Sequence, residues 1–422
     1  MKLFNFKIHE KTGILVLVFW FLAIYSCFSQ DPQLPMARDQ EIFMGSAFSN
    51  PQKLEFNQHW NQLTPENAGK WESVESVRDQ YNWVELDEAY NYAKDNNILF
   101  KLHVLFWGNQ QPVWIESLGQ EEQLEEIIEW LDTLASRYPD MEYIEVVNEP
   151  IHDPPHGAGN GNYRNALGGQ GTTGYDWIIK AFQLAKARFP EAKLMINEYN
   201  IVNNPQKASQ YKAIIELLQE EDLIDAIGVQ AHAFSLTGSE DVFKTSLNIL
   251  AETGLPIMVT ELDIDGPTDQ IQLEEYQRIF PVFWNHPSIQ GITLWGYRPG
   301  LWRDEQKAYI INANNEPRLA MTWLREYVES GRNVYEILGV SPDGNLMKLY
   351  PNPVVNNTIV IESGKIISNL VVSDLQGKII LRWDDGNQVD SVITLPDTHG
   401  VYLVSVQFDD GSVCLEKIIL KE

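Results

Sequence analysis

Short β-rich segments alternate with helix-length segments eight times between residues 41 and 330. In the stretch EEQLEEIIEWLDTLASRY, for example, Leu124, Ile127, Ile128, Leu131 and Leu134 follow the i, i+3, i+4, i+7 spacing of an amphipathic helix. Eight strand–helix pairs over about 290 residues match the count and size of a (β/α)₈ barrel. A doubly wound open sheet is the alternative, but the Gly-rich phosphate turn typical of it is missing.

The eight predicted strands share a β-rich, mostly apolar composition. They are IFMGSAFS from residue 42, FNQHWNQLT from 56, LFKLHVLFW from 99, YIEVVNE from 143, AKLMINEYN from 192, AIGVQAHAF from 226, PIMVTELDI from 256 and GITLWGY from 291.

The pattern changes after Val340, where the turn-rich stretch SPDGNLMKLYPNP precedes about 75 residues of strand-like segments separated by Gly and Asp turns. This second pattern is typical of a small β-sandwich. We therefore predict an α/β fold, a (β/α)₈ TIM barrel followed by a small all-β, sandwich-like C-terminal domain. The predicted boundaries are 30–335 for the barrel, 336–346 for a linker and 347–422 for the β-domain.

The first 29 residues have the pattern of a secretory signal peptide. Three lysines within the first eleven residues precede an apolar run from Ile14 to Tyr25, which is too short to span a bilayer comfortably. Cleavage after Ser29 fits the small-x-small site formed by Cys27 and Ser29. A lipoprotein signal through Cys27 and an uncleaved anchor are the alternatives. The sequence thus predicts a secreted or cell-surface protein.

Charge and cysteine content exclude several classes of partner and site. The net charge is −28, from 59 acidic and 31 basic residues, and no Lys/Arg cluster offers the basic footprint that nucleic-acid binding requires. Cys27 and Cys414 are the only cysteines, so neither a disulfide framework nor a cysteine-based metal site is available. We expect a monomer without metal or cofactor.

Polar and aromatic side chains are concentrated at the C-terminal ends of the predicted strands, which in a barrel converge on the face that carries the active site. A lone glutamate at a strand end is usually solvated, and a lone histidine is usually a hydrogen-bonded core group. Their repetition from strand to strand favours a site. The residues are Glu66, Asn67, Lys70, Trp71, His103, Trp107, Asn148, Glu149, Asn197, Glu198, Tyr199, Asn200, Gln230, His232, Glu261, Asp263 and Trp295.

This mixture of residue types suits carbohydrate chemistry. Indole faces pack on sugar rings, whereas amide, imidazole and amine groups form hydrogen bonds with sugar hydroxyls. Two carboxyls that flank a glycosidic bond supply a proton and a nucleophile or base. HExxH, GxSxG and Walker motifs are absent from the sequence. A Schiff-base lysine at Lys70 or Lys101 is an alternative, but it needs a lowered pKa, which nearby carboxylates would oppose. A non-catalytic polysaccharide-binding barrel is another.

Seven motifs in order, WNQLTPENAGKWE, HVLFW, VVNEP, INEYN, GVQAH, VTELDI and LWG, resemble glycoside hydrolase family 10, the endo-β-1,4-xylanases, over roughly residues 40 to 328. The resemblance implies a (β/α)₈ barrel and retaining hydrolysis of β-1,4-xylosidic linkages in xylan or a related β-linked plant or algal polysaccharide. Another β-glycanase of the same architecture, such as a β-glucanase, is the alternative.

The resemblance also implies roles for individual residues. Glu149 matches the general acid/base and Glu261 the nucleophile, while Asn148 matches the asparagine that hydrogen-bonds the sugar's 2-hydroxyl. His232 matches the histidine beside the nucleophile, and Asp263 the aspartate that orients its ring. The other implied substrate-binding residues are Glu66, Asn67, Lys70, His103 and Trp107 on the non-reducing side, together with Gln230, Tyr199, Trp295 and Trp302, whose indole crowds the space that a hydroxymethyl group would need.

Two departures from the family pattern concern the cleft. The family usually has a second histidine after the tryptophan of the third strand motif, and Gly108 stands there in this chain. The loop YRPGLWRD adds Arg298 and Arg303 to the commoner form. These departures put the subsite preferences in question, and Gly108 could mark a weakened or shifted site.

The C-terminal segment resembles the sorting domain of the type IX secretion system of Bacteroidetes. The matching pieces are LYPNPVVNNTIVI, VSDLQGKII and GVYLVSV, followed by the basic end EKIILKE. The resemblance implies the secretion machinery as a partner. A carbohydrate-binding sandwich is the alternative, but Trp383 is the only tryptophan after Trp323, whereas a binding platform usually uses two or more.

Overall fold

The computed structural model describes residues 34–38, 40–155, 162–330, 347–374, 379–383, 388–395, 399–409 and 413–420. The predicted signal peptide and the predicted linker lie outside these residues. Within the described ranges, no helix is both long enough and apolar enough to cross a membrane.

Eight parallel strands close into a barrel in chain order, and β8 pairs with β1 with Phe43 opposite Gly291. The predicted barrel is thus confirmed, and the open doubly wound sheet is excluded. The strands are β1 (Phe43–Phe48), β2 (Gln62–Pro65), β3 (Leu99–Leu102), β4 (Tyr143–Asn148), β5 (Lys193–Glu198), β6 (Ala226–Val229), β7 (Ile257–Leu262) and β8 (Ile289–Leu294).

Amphipathic helices cover the outside of the barrel, as the predicted periodicity requires. In the helix Gln120–Arg137, for example, Ile127, Leu131 and Leu134 are fully buried, whereas the acidic residues between them largely face water. In the described part of the chain the helices are α1 (Phe56–His59), α2 (Trp71–Val74), α3 (Val84–Asp95), α4 (Gln120–Arg137), α5 (Asp176–Arg188), α6 (Pro205–Gln219), α7 (Glu240–Ala251), α8 (Asp269–Trp284) and α9 (Leu319–Glu329), with 3₁₀ turns at Val113–Ser117, Tyr163–Asn165 and Ala233–Ser235.

The second predicted strand is wrong over its first half. Phe56–His59 form the short helix α1, and the strand itself begins only at Gln62. The backbone N–H of Trp60 donates to the carbonyl of Phe56 at 3.0 Å, and this helical turn buries both aromatic side chains completely. The aromatic residues that suggested a strand by composition are therefore buried through i, i+4 spacing instead.

The barrel interior is layered. At its N-terminal end Met195, Ala226 and Met258 form a small apolar cluster. The barrel also encloses the fully buried charged side chains of Lys101 and Glu145, and Glu145 contacts His103 at the end of β3. A charged layer is thus enclosed directly beneath the face on which the predicted site lies.

The C-terminal region is a small all-β domain, as predicted. Its 17-residue strand β10 pairs with four other strands, and Ile359, Val372, Val404 and Ile418 lie fully buried in its core. The strands are β9 (Met347–Val355), β10 (Thr358–Asp374), β11 (Ile379–Trp383), β12 (Gln388–Thr394), β13 (Gly400–Phe408) and β14 (Val413–Leu420). The second half of the turn-rich stretch SPDGNLMKLYPNP therefore belongs to β9.

Candidate active site

One cleft of about 450 Å³ opens at the C-terminal ends of the barrel strands. Of the fourteen residues to which the family resemblance assigns roles, thirteen lie in its wall, and the fourteenth, Asp263, lies directly behind His232. Four other strand-end residues named in the sequence do not line the cleft: Trp71, Asn197, Glu198 and Asn200. The lining residues predicted from sequence are Glu66, Asn67, Lys70, His103, Trp107, Asn148, Glu149, Tyr199, Gln230, His232, Glu261, Trp295 and Trp302.

The backbone turns sharply where β4 ends, and this turn aims Glu149 into the cleft. Glu149 adopts a left-handed backbone conformation with φ of 55°, which is uncommon outside glycine and asparagine. Its N–H donates to the carbonyl of Asn197 at 2.8 Å, and its own carbonyl accepts from the N–H of Asp153 at 2.9 Å. Hydrogen bonds on both sides hold the strained residue, and Pro150 after it prevents the strand from continuing.

Glu149 is buried, with 7% of the residue's surface exposed. Burial, strengthened by the charges of Glu261 and Glu198, raises its pKa to about 8. Gln230 Nε2 and Trp107 Nε1 each donate to it at 2.8 Å, and these hydrogen bonds only partly oppose the rise in pKa. Glu149 is therefore protonated at neutral pH and can donate a proton.

Glu261, at the end of β7, has the opposite protonation state. Burial would raise its pKa, but a hydrogen bond from His232 and electrostatic interactions with His103, His232 and Lys101 outweigh burial and lower the pKa to about 2. His232 Nε2 lies 3.1 Å from one carboxylate oxygen, and Asn197 Nδ2 donates to the other at 2.7 Å. Glu261 is thus an ionised carboxylate with both oxygens oriented.

His232 is held between two carboxylates. Its Nδ1 lies 2.6 Å from Asp263 Oδ2, and Asp263 Oδ1 accepts the backbone N–H of Ala233 at 2.7 Å. Burial would lower the pKa of His232, but Asp263 and Glu261 raise it to about 9. Asp263 therefore fixes the ring as an imidazolium that donates to Glu261.

Beneath the cleft lies a polar group centred on Glu145, a residue that the sequence analysis did not assign to the site. This carboxylate pairs with Lys101, and its second oxygen lies 2.6 Å from His103 Nδ1. Burial would raise the pKa of Glu145, but Lys101 and His103 lower it. Asn197 connects this group to the cleft, because its Nδ2 lies 3.4 Å from Glu145 Oε2 and 3.0 Å from Asn148 Oδ1.

The Schiff-base alternative places a reactive amine with a lowered pKa at Lys70 or Lys101. The structure shows what determines the pKa of Lys70 and what each amine contacts. Burial lowers the pKa of Lys70 despite four nearby carboxylates, so the expectation that carboxylates would dominate is wrong. However, Lys70 Nζ donates to Asn67 Oδ1 at 2.8 Å and to Gln110 Oε1 at 2.6 Å. Lys101 is paired with Glu145. Both amines are thus engaged as hydrogen-bond donors.

Gly108, which departs from the family pattern, has a structural cause. Its N–H donates to the carbonyl oxygen of Asp153 at 2.9 Å, and a Cβ at this position would lie 2.1 Å from that oxygen. The loop after β4 therefore occupies the space of a side chain. Asp153 itself lines the cleft and accepts a hydrogen bond from the Tyr199 hydroxyl at 3.2 Å. Together with Gln110 and Phe234, it is a cleft residue that the sequence analysis missed.

The two additional arginines have different surroundings. Arg303 makes a bidentate pair with Asp265 at 2.8 and 2.7 Å, and its guanidinium lies over the Trp302 ring. Trp302 Nε1 donates to Asp263 at 2.9 Å, so a half-exposed indole is held in the cleft wall from two sides. Arg298 instead contacts Asn315 and does not line the cleft.

Among the residues that the structure describes, two groups of side chains could offer ligand atoms to a metal ion. His103, Glu145 and Glu261 bring theirs within 4.8 Å of one another, but Lys101 and His232 already neutralise the two carboxylates. Glu75, Asp79 and Glu126 form the second group, outside the cleft.

Comparison with protein families divides the chain into two matched parts. Residues 33–327 match the model of glycosyl hydrolase family 10, and residues 348–421 match that of the secretion system C-terminal sorting domain. The second match establishes a sorting domain at the C-terminal end of the described chain and favours it over the carbohydrate-binding alternative.

Two curated relatives show how far the similarity extends. Endo-1,4-beta-xylanase B of Cellvibrio japonicus is 41% identical over 275 residues, which are 64% of this chain but only 43% of that protein. Endo-1,4-beta-xylanase B of Thermotoga neapolitana is 30% identical over 347 residues, covering 75% of this chain and 98% of the relative. The chain therefore spans less than half of the first relative and nearly all of the second.

Solved structures agree with the fold. Native xylanase 10B from Thermotoga maritima superposes with a TM-score of 0.60 at 26% identity and covers 69% of this chain and 95% of its own. Xylanase 10B from Thermotoga petrophila, solved in complex with xylobiose, gives 0.61 at 26% identity, with 72% and 98% covered. With the family model matched over the whole barrel, the chain belongs to glycosyl hydrolase family 10.

Proposed function

We propose that this protein hydrolyses internal β-1,4-xylosidic linkages of xylan by a retaining double displacement, with Glu149 as general acid/base and Glu261 as nucleophile. The observation that carries the proposal is the pair of buried carboxyls in one cleft, whose surroundings move their pKa values apart to about 8 and about 2. Such a separation supplies an acid and an anion at the same pH.

In the first step a Glu261 oxygen attacks the anomeric carbon while Glu149 transfers its proton to the departing glycosidic oxygen. The products are a leaving sugar with a new hydroxyl and a glycosyl ester on Glu261. Because the ester carries no charge, Glu149 loses the neighbouring negative charge that helped to raise its pKa. It is now ionised and accepts a proton from the water that attacks the ester, which restores both residues.

Specificity for xylose would come from the cleft walls. Trp302 is held against His232 with ring centroids 4.7 Å apart, and its indole would crowd the space that a hydroxymethyl group needs. Lys70, Glu66 and Asn67 would hold hydroxyls of the sugars on the non-reducing side, and Asn148 would hold the 2-hydroxyl of the reacting sugar. Neighbouring hydrogen bonds orient the Asn148 and Lys70 side chains, so little ordering entropy remains to be lost on binding.

The ends of the chain would serve export. We propose a signal peptide at 1–29, the catalytic domain at 30–335, the linker at 336–346 and the sorting domain at 347–422. The sorting domain would engage the secretion machinery and deliver a monomeric enzyme to the medium or the cell surface. The match of residues 348–421 to a sorting-domain model supports this division.

Release of reducing sugar from xylan, mixed-linkage glucan and carboxymethylcellulose, measured side by side, tests the function. We expect strong release from xylan alone, with Glu149→Gln as the inactive control. Equal or faster release from a glucan would identify a β-glucanase instead. Binding to xylan without any release would identify a non-catalytic polysaccharide-binding barrel.

A further inference from the structure

A second cavity, of about 270 Å³, adjoins the catalytic cleft at the ends of β1 and β2. Glu66 and Asn67 line both cavities, so a sugar bound by these two residues borders on both. The other lining residues, which define what we term the side pocket, are Phe48, Ser49, Asn50, Pro51, Ala68, Glu85, Glu88 and Gly300.

The side pocket is electronegative. Three of its lining residues, Glu66, Glu85 and Glu88, are acidic, and none of the described residues that line it is basic. Lys53 pairs with Glu88 at 2.7 Å, but it is not part of the lining and neutralises at most one of the three charges. Lys70, which lines the adjoining cleft, interacts electrostatically with Glu66, so Glu85 is the main source of the net negative charge around the pocket.

Building on the proposed function, we propose that the side pocket binds one neutral pentosyl unit of the substrate and discriminates against a uronosyl unit. Its volume lies just below the usual range of ligand pockets, which suits one sugar ring and not two. Carboxylate and amide oxygens at its rim accept hydrogen bonds from sugar hydroxyls. The same oxygens repel the carboxylate of a uronic acid.

Two sources could supply the pentose. One is the next backbone xylose beyond the units that Glu66 and Asn67 contact. The other is an arabinofuranosyl side chain on one of those units. Both are uncharged pentoses with the same hydrogen-bonding groups, and they differ only in how they are linked to the bound chain.

The size of the discrimination follows from the charges. A uronate about 5 Å from one exposed carboxylate loses roughly three- to tenfold in kcat/KM at low salt, since the interaction passes largely through water. Added salt screens exposed charges, so the penalty should shrink as ionic strength rises. A steric barrier to the uronosyl group would not respond to salt.

The first experiment removes charge from the pocket of the full chain. For Glu85→Gln and for the double variant Glu85→Gln/Glu88→Gln, kcat/KM is compared on unsubstituted and uronosyl-substituted xylo-oligosaccharides of equal length. We expect the ratio of kcat/KM on the uronosyl substrate to kcat/KM on the unsubstituted substrate to rise about three- to tenfold at low salt and less at high salt.

Asp95→Asn is the matched control, because it removes an exposed acidic residue from the other end of the same helix, α3, about 15 Å away. The change in kcat/KM that Asp95→Asn causes on the uronosyl substrate measures the effect of lowering the chain's net negative charge far from the pocket. If Glu85→Gln behaves like Asp95→Asn on the uronosyl substrate, the proposed discrimination is wrong.

The second experiment fills the pocket. Asn50 is exposed at the rim, so Asn50→Trp should obstruct the pocket without disturbing the core, and Asn50→Ala is its control. Loss of the preference for longer unsubstituted chains would identify a backbone xylose as the occupant, and loss of cleavage beside arabinosyl branches would identify the side chain. If neither changes, the pocket binds no sugar. A wild-type protein inactive on all xylans would refute the proposed function itself.

Discussion

Gln230 donates its side-chain amide to Glu149 at 2.8 Å, and its backbone carbonyl accepts the N–H of Glu261 at 3.0 Å. One residue, directly after β6, thus connects both carboxyl-bearing residues of the cleft. The bond to Glu149 favours the charged carboxylate and limits a rise in pKa that burial and Glu261 produce. The protonation state of Glu149 therefore depends on the balance between burial and Glu261, which raise its pKa, and the hydrogen bond from Gln230, which lowers it.

The pH dependence of the reaction should report that balance. Activity requires Glu149 protonated and Glu261 ionised, so kcat/KM should fall as pH rises through about 8 and, on the acidic side, only as pH approaches about 2. The two apparent values belong to the pair, because the groups interact. In Glu149→Gln the residual activity should lose its basic limb. An unchanged basic limb in that variant would assign the titration to another group.

Glu149 should also reduce the stability of the fold, and the sign follows from its pKa. Because the folded pKa of about 8 exceeds the ordinary value of 4.5, the unfolded chain loses this proton more easily, and wild-type stability falls as pH rises from 4.5 to 8. Glu149→Gln avoids this penalty and should be more stable than wild type by about 1–3 kcal/mol at pH 7. Melting temperatures at pH 4.5 and pH 8 test this: a difference between variant and wild type that does not grow with pH contradicts it.

The structure also shows where inference from the sequence reached its limit. Strand ends with polar residues predicted the cleft because every parallel strand of a barrel ends on one face. Glu145 was not predicted to belong to the site, since only residues at strand ends were considered, and strict alternation would place it and Asn148 on opposite sides of β4. The register between β4 and β5 shifts between Glu145 and Val147, and Asn197 Nδ2 lies within 3.4 Å of both side chains. A bulge of this kind leaves no mark on hydrophobic periodicity.

Contacts between distant loops were equally hidden. The carbonyl oxygen of Asp153 occupies the space beside Gly108, and nothing in the local sequence of either residue indicates it. Gln110 likewise reaches Lys70 from a separate loop. Composition and periodicity describe each segment alone, whereas these cleft residues are defined by the approach of two segments.

Replacing either glutamate by glutamine should nearly abolish xylan hydrolysis while leaving the fold intact. Glu149→Gln should lose about 10²–10⁴-fold in kcat, since proton donation to a poor leaving group disappears. An aryl xylobioside with a good leaving group needs little protonation and should be affected far less in the first step. Glu261→Gln should fail on both substrates.

Glu66→Gln is the control for this comparison, because Glu66 lines the cleft but would transfer no proton. We expect a milder loss, expressed mainly in KM. Near-full activity of Glu149→Gln on polymeric xylan would show that another group is the acid.

Removing residues 345 to 422 should leave kcat/KM on soluble xylo-oligosaccharides unchanged and should block export. The described residues that line the active-site cleft all lie between 66 and 302, so we expect its chemistry not to require the β-domain. Activity of the purified truncated protein, together with fractionation of cells that express it, provides the measurement. A loss of specific activity in the truncated protein would mean that the β-domain contributes to catalysis as well as to export.

The stereochemical outcome follows from the same two residues and tests the mechanism most directly. If Glu261 is the nucleophile, its carboxyl should lie about 5–5.5 Å from that of Glu149, which leaves no room for a water on the far side of the anomeric carbon. A covalent glycosyl ester must then form first, and two inversions return the β configuration. His232 and Asn197 support this role, since they hold the Glu261 oxygens in fixed positions and keep the carboxylate ionised. Proton NMR during the first minutes of xylan hydrolysis distinguishes the anomers before mutarotation mixes them. We expect β-xylosyl reducing ends to appear first. Initial α-xylosyl ends would mean inversion, a separation of roughly 6.5–9.5 Å, and a Glu261 that activates water instead of attacking the sugar.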